Sequence, residues 1–209
     1  MRVLDLGCGK GRSSVFLAKE FGVNVVAVDL WNSAADNAQV IRDAGLSDHI
    51  ESIQADARNL PFANDHFDII LAIDAFQYFG TDALYLPYIL KYLKPGGQIA
   101  FASAGLTNDF ENGVPQHLEK FWQPDAWCLQ TSDWWRHHWE RTGLVNIHSA
   151  DTMVGGWKYW LAWAEINGGS RWYTETVKND AGRFLGYVRT IATRIAGRDL
   201  LPYDLRTGC

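Results

Sequence analysis

The chain opens on its most restrictive feature. Val3-Leu4-Asp5-Leu6, a short buried-strand pattern, runs directly into Gly7-Cys8-Gly9-Lys10-Gly11, and a helix-like stretch from Ser13 to Phe21 follows at once. A strand that empties into three alternating glycines and then a helix brings bare backbone up to a ligand, where any side chain would collide. The plainer reading of the same residues is a tight strand-to-helix turn.

Spacing excludes two kinds of cradle. A dinucleotide fingerprint needs G-x-G-x-x-G; counted from Gly7 the last position is Arg12, and counted from Gly9 it is Ser14. A P-loop needs Gly-Lys-Ser/Thr, whereas Lys10 is followed by Gly11. The strands that follow narrow the choice. Asn24 to Asp29 is a second apolar run that closes on a carboxylate 18 residues past Gly11, where a doubly wound fold brings an acid to ribose hydroxyls. A third run, His49 to Gln54, ends at Ala55-Asp56-Ala57, and a fourth, Phe67 to Ile73, ends at Asp74. Each acid alone reads as a helix cap or a solvated turn. Four strand ends in a βαβαβ rhythm, one rich in glycine and three ending in Asp, read together as a ligand-binding edge.

From Asp5 to Gly11 the chain resembles the D-x-G-x-G-x-G signature of class I S-adenosylmethionine-dependent methyltransferases, and Leu93-Lys94-Pro95-Gly96-Gly97 before a strand is a second phrase of that family. The resemblance covers residues 2–103 closely and 131–152 and 183–193 loosely, and it is nearest to the small-molecule group that includes the ubiquinone/menaquinone-biosynthesis type. It implies an α/β fold: a Rossmann-like, doubly wound, seven-stranded, mostly parallel sheet with helices on both faces and an antiparallel last strand. It also implies S-adenosyl-L-methionine as cofactor, held by Gly7, Cys8, Gly9, Gly11, Asp29 and Leu30. The ribose falls to Asp29, the adenine to Asp56 and Ala57, and the methionine portion to the strand end at Asp74. Asp5 would orient the methionine amino group through water; read from the residues alone, it is a buried carboxylate that pins the loop amides. A sulfonium and an ammonium on one ligand suit carboxylates better than a pyrophosphate would.

Members of that family carry helices ahead of the first strand, whereas here the strand starts at residue 2. Either the chain is trimmed or its own insertions supply the lid, and the departure motivates the alternative of an inactive, donor-binding regulatory module. A nicotinamide oxidoreductase shares only the strand-glycine-helix layout.

The remaining elements follow from breakers and periodicity. A helix over Thr81 to Tyr92 stops at Lys94-Pro95-Gly96-Gly97, which launches a fifth strand, Gln98 to Ser103. Ala104 to Gln130 is irregular and contains Phe110, His117, Phe121, Trp122 and Trp127. Ser132-Asp133 cap a helix that runs to Thr142 with Gly143 as its stop, and a sixth strand spans Leu144 to Ala150. Phe184 to Ile191 is rich in aromatic and β-branched residues and reads as the seventh strand, with an amphipathic helix across 172–195 as the alternative. Residues 153–180 then form a second, mostly helical insertion. With no repeat or low-complexity segment, residues 1–209 read as a single methyltransferase domain with cap-like insertions at about 104–130 and 153–180.

Both insertions leave from carboxyl ends of parallel strands, where an open α/β sheet binds its ligand, so both should overhang the donor. Six of the ten Trp residues fall in them: Trp122, Trp127, Trp157, Trp160, Trp163 and Trp172. They are either the filling of a thin cap or an aromatic substrate pocket. Methyl transfer is an in-line displacement that needs alignment and exclusion of water, with a base only for some acceptors. Tyr78 and His117 are the catalytic candidates by position, against a packing role for each. His137 and His138 receive no such role.

Composition bounds the partners. A net charge of -5 without any Lys/Arg run argues against nucleic acid and for a small-molecule substrate. Ile73-Asp74-Ala75-Phe76-Gln77-Tyr78 also lacks the Pro-Pro of DNA amino-methylating enzymes. Cys8, Cys128 and Cys209 are odd in number and scattered, which fits neither a disulfide framework nor a metal site. Without a signal-peptide core or an apolar run of membrane-spanning length, the expectation is a cytoplasmic protein with no membrane partner.

Overall fold

The computed structural model describes residues 1–168, 171–198 and 200, with the backbone alone at 171 and 172; Cys209 lies outside the described residues. Strand β1 (Arg2–Leu6) lies between β2 (Asn24–Asp29) and β4 (Phe67–Ile73). Beyond β2 comes β3 (Ile50–Gln54), beyond β4 comes β5 (Leu93–Leu106), and all five run parallel. The last strand, β7 (Leu185–Arg194), inserts antiparallel between β5 and β6 (Val145–Thr152), giving the order β3-β2-β1-β4-β5-β7-β6. This is the doubly wound, mostly parallel seven-stranded sheet expected above.

The strands read as continuous apolar runs because the sheet is covered on both faces. Val3, Val25, Ala27 and Ile50 pack on one side with Ala18 of α1 (Arg12–Phe21) and Ile41 of α2 (Ala34–Asp43). Leu4, Leu6, Val26, Val28 and Ile70 form the other core with α3 (Tyr85–Leu90) and α4 (Ser132–Glu140), whose Trp135 and Trp139 are fully buried.

Several boundaries differ from expectation for local reasons. The fifth strand starts at Leu93, because pairing with β4 holds on both sides of Lys94-Pro95-Gly96-Gly97, which bulges out between the Phe67–Leu93 and Ile69–Gln98 pairs. The helix expected from Thr81 begins only at Tyr85, which keeps Pro87 within its first turn, where a missing N–H does no harm. Thr131, not Ser132, caps α4, its Oγ1 accepting the Trp134 N–H at 3.2 Å. The segment 172–195 is not one helix. After α5 (Gly156–Ile166), α6 (Arg171–Asp180) ends at Ala181 and Gly182, both at positive φ, before β7 begins.

The two insertions share a core in which Leu118, Phe121 and Leu129 of the first meet Trp160 and Val177 of the second. A fully buried carboxylate locks them. Asp180 accepts the Phe184 and Leu185 N–H groups at 3.0 and 2.8 Å and meets His117 Nε2 at 2.8 Å. Among the described residues no helix is long and apolar enough to cross a membrane, and no three His, Cys, Asp or Glu side chains gather as a metal-binding group.

Candidate functional site

The carboxyl ends of β1 to β4 open into one cavity of about 820 Å3. At the end of β1 the chain turns through Gly7, Gly9 and Gly11 at φ of +76°, +56° and +71°, a left-handed conformation that costs other residues steric strain. The amides of Gly7 and Cys8 both donate to the Val28 carbonyl, at 2.8 and 3.0 Å, tying the loop to β2. A Cβ on Gly7 would lie 2.3 Å from the Ala75 Cβ, whereas one on Gly9, which lines the cavity, would meet no atom within 4 Å. Gly11 does not line the cavity; it stands at the N-cap of α1.

Asp29 organises the next edge. Its Oδ2 accepts the Gly9 N–H at 2.9 Å, and its Oδ1 accepts the Trp31 and Asn32 N–H groups and the Asn32 amide at 3.0, 2.8 and 2.9 Å. Asn37 of α2 grips the loop from behind, donating to the Gly9 carbonyl at 2.9 Å from a buried position. Sequence reasoning missed Asn37, although a polar residue four before Ile41 on the buried face of α2 was the available signal. Cys8 lines the cavity, and burial pushes its thiol up to about 12, so it is no thiolate nucleophile at neutral pH.

Asp5 is buried and does not reach the cavity surface. It pins the start of α1 through side chains, not the loop through its amides: the Ser13 and Ser14 hydroxyls donate to its Oδ2 at 2.6 and 2.5 Å. Its Oδ1 has no partner among the described residues, and burial raises its pKa despite those two bonds.

Leu30, Asp56 and Ala57 line the cavity as expected, with Asp56 Oδ1 accepting the Arg58 N–H at 2.8 Å in a tight turn. Asp74 lines it too, at a φ of +57° that Asp tolerates better than most residues. The Ala104 N–H at 3.4 Å and the Gln77 amide at 3.5 Å point at its Oδ1, and the Tyr187 hydroxyl donates to its carboxylate. Burial still moves the Asp74 pKa upward.

The two catalytic candidates part company. Tyr78 lines the cavity, but burial and the nearby Asp74 charge both raise its hydroxyl pKa, which makes it a hydrogen-bond donor rather than a base at neutral pH. His117 is not among the cavity residues; it is held by Asp180 in the core that the insertions share.

The far wall comes from the second insertion and β7: Met153, Tyr159, Trp160, Trp163, Asn167 and Tyr187. The first insertion contributes no lining residue and supports this wall from behind, so only one of the two overhangs the cavity. Of the six tryptophans, Trp160 and Trp163 line it, Trp122 packs edge-on against Phe110, Trp127 and Trp157 are not among the lining residues, and the Trp172 side chain lies outside what is described. The overlooked rim residue is Trp31, 81% exposed beside Asp29. Tyr159, Trp160, Trp163 and Asn167 fall on one helical face, a pattern that marks the wall in retrospect.

Residues 3–97 match a family model described as a methyltransferase domain. Methyltransferase GfsG of Streptomyces halstedii is 33% identical over 121 residues, covering 57% of this chain and 44% of that protein. The 2-methyl-6-phytyl-1,4-hydroquinone methyltransferase of Synechocystis is 28% identical over 172 residues, covering 76% of this chain and 52% of the other. Among solved structures, Haemonchus contortus phosphoethanolamine N-methyltransferase 2 in complex with S-adenosyl-L-methionine superposes with a TM-score of 0.74 at 20% identity, over 93% of this chain and 49% of that one. The chain spans about half the length of the curated relatives it matches. Their names range from a hydroquinone to tocopherol and do not single out the ubiquinone/menaquinone group.

Proposed function

We propose that the chain, whose residues 3–97 match the methyltransferase-domain model, is a class I S-adenosylmethionine-dependent methyltransferase that transfers the methyl group of its donor to a small-molecule acceptor by in-line displacement. The observation that carries this reading is a single cavity with a left-handed glycine cradle and a strand-end carboxylate on one side and an aromatic wall on the other. The residues fit such a donor. Gly9 leaves open the space a Cβ would fill, and Asp29, Asp56 and Asp74 offer carboxylates to a ligand that carries a sulfonium and an ammonium.

When bound, the donor supplies an electrophilic methyl group; the rest is alignment. Asp29, held rigid by four donors, takes the ribose hydroxyls, while Asp56 and Ala57 take the adenine edge and Leu30 its face. Lys10 and Arg12, at the start of α1, offer positive charge to the carboxylate of the methionine portion. Asp5 fixes the beginning of α1 beneath the loop. Asp74 faces the methionine end. Trp160 and Trp163 keep water from the transfer path, and the Tyr78 hydroxyl donates a hydrogen bond to the acceptor. In this reading residues 1–209 work as one methyltransferase domain, with 153–180 as the cap and 104–130 as its buttress.

The relatives support it by name: two of them are methyltransferases, and the solved structure holds the same donor. Isothermal titration with S-adenosylmethionine, followed by an acceptor screen that reads S-adenosylhomocysteine release, tests it. Binding with release on at least one acceptor class is the expected result. Binding without release on any class would replace it with a donor-binding regulatory module, and NADH binding without donor binding with an oxidoreductase.

A further inference from the structure

The acceptor side of the cavity has a distinctive charge pattern. Three aromatic rings stand open to it, Tyr159 at 69%, Trp163 at 55% and Tyr78 at 52% exposure, and rings left this open on a concave wall mark a ligand site. Trp160 and Tyr187 complete the enclosure. Asp74 is the carboxylate among them. The groups that hold it, the Tyr187 hydroxyl, the Ala104 N–H and the Gln77 amide, are neutral donors, so its charge has no cationic partner in that set.

Two of the three cations that line the cavity stand on the donor side, and the third meets the main chain of Tyr78. Lys10 and Arg12 belong to the glycine loop and the start of α1, and Arg58 follows Asp56 at the end of β3, giving one N–H to the Tyr78 carbonyl at 3.1 Å. On the other side, the carboxylate of Asp74 faces both Tyr78 and Tyr187. An anionic acceptor would be repelled there. A neutral one would draw no attraction from the Asp74 charge. A cation ringed by aromatic faces and facing one carboxylate gains from both.

We propose that the acceptor is a small amine, its nitrogen seated between Asp74 and the rings of Tyr78, Tyr159, Trp160, Trp163 and Tyr187. This rests on the donor reading above and names the substrate class for the same site. The chemistry balances: the amine, having lost its extra proton to water, gives its lone pair to the methyl carbon as the C–S pair returns to sulfur. Positive charge passes from sulfur to nitrogen. Asp74 faces it before and after, which makes it an electrostatic partner and not a proton acceptor.

Three probes of one shape separate the charges: choline, its uncharged isostere 3,3-dimethylbutan-1-ol, and the anion 3,3-dimethylbutanoate, each titrated into protein saturated with S-adenosylhomocysteine. Choline is expected to bind at least tenfold more tightly than the alcohol, and the anion more weakly than both. In Asp74→Asn, which tolerates the same left-handed backbone, the choline-to-alcohol ratio should fall toward one. Trp163→Ala, at a position 55% exposed, should lower choline affinity several-fold. Equal binding of choline and alcohol, preference for the anion, or an unchanged ratio in Asp74→Asn overturns the proposal. Failure of S-adenosylhomocysteine to bind would instead overturn the donor reading, and the same ratios measured on the unloaded protein would then decide the amine.

Discussion

Gly7 and Gly9 share a backbone conformation but face different surroundings, so substituting each separates the fold from the cradle. At Gly9 a side chain meets no protein atom within 4 Å, leaving only the cost of a left-handed φ of +56°, about 1–2 kcal/mol for a non-glycine residue. For a chain of this size that lowers the melting temperature by about 2–8 °C. Gly9→Val should therefore stay folded, while its side chain fills the space proposed for the donor and lowers affinity for S-adenosylmethionine at least about a hundredfold, or about 2.7 kcal/mol. At Gly7 the same backbone cost is joined by a 2.3 Å approach to the Ala75 Cβ, and overpacking adds about 1–3 kcal/mol. Gly7→Ala should lose about 2–5 kcal/mol by the sum of those terms. Denaturant unfolding and isothermal titration on both variants read the two effects. A Gly9→Val protein that binds within tenfold of wild type, or a Gly7→Ala protein as stable as wild type, would refute the reasoning.

Asp29→Ala is expected to weaken donor binding by about 1–3 kcal/mol through lost charge-assisted hydrogen bonds; unchanged affinity by titration would show that the ribose lies elsewhere. Asp180→Ala strips the acceptor from the buried Phe184 and Leu185 amides and from His117, so it should cost about 3–5 kcal/mol of stability in urea. His117→Ala should cost less, and turnover per folded molecule should fall less than tenfold; a loss of a hundredfold or more would restore His117 as a base. The Asp5 pKa is raised by burial, so between its unfolded value and that raised value the folded state binds more protons, and stability falls as pH rises through the window. Asp5→Asn removes this dependence. Unfolding curves from pH 3 upward should show the variant gaining on wild type across that window, and parallel curves would contradict a raised pKa.

The glycine-loop side of the cavity was legible because its residues sit where strands stop. Apolar runs set β2 and β4 to the residue, and the glycines and acids at their ends needed only the sheet to bring them together. The far wall was less legible for a physical reason. Tyr159, Trp160, Trp163 and Asn167 show a helical face, but which body a face covers is a tertiary fact, and Trp160 both lines the cavity and joins the insertion core. His117 misled because its position in the first insertion said nothing of Asp180, which meets it from 63 residues away. Tyr187 was read only as strand-forming, since its contact with Asp74 arises from register: β7 runs antiparallel beside β5 and brings position 187 opposite Ala104, whose amide points at the same carboxylate.

That register ties the cap to the chemistry. Because β7 lies between β5 and β6, the segment that leaves β6 at Thr152 and the one that enters β7 at Leu185 meet on the same rim, where the Met153 N–H donates to the Tyr187 carbonyl at 2.8 Å. The helices between them are thus anchored at both ends beside the cavity, with Asp180 holding the return through two backbone amides. A change that loosens β7 should move the aromatic wall. Gly186 offers such a change: a Cβ there would come within 2.7 Å of the Thr107 methyl, and the neighbouring Tyr187 would have to shift with the strand. Gly186→Ala is expected to weaken acceptor binding while donor affinity holds, because β1 and β2, which carry the glycine loop and Asp29, lie on the far side of β4 and β5. Loss of both affinities in equal measure would show that the two halves of the cavity are not separately supported.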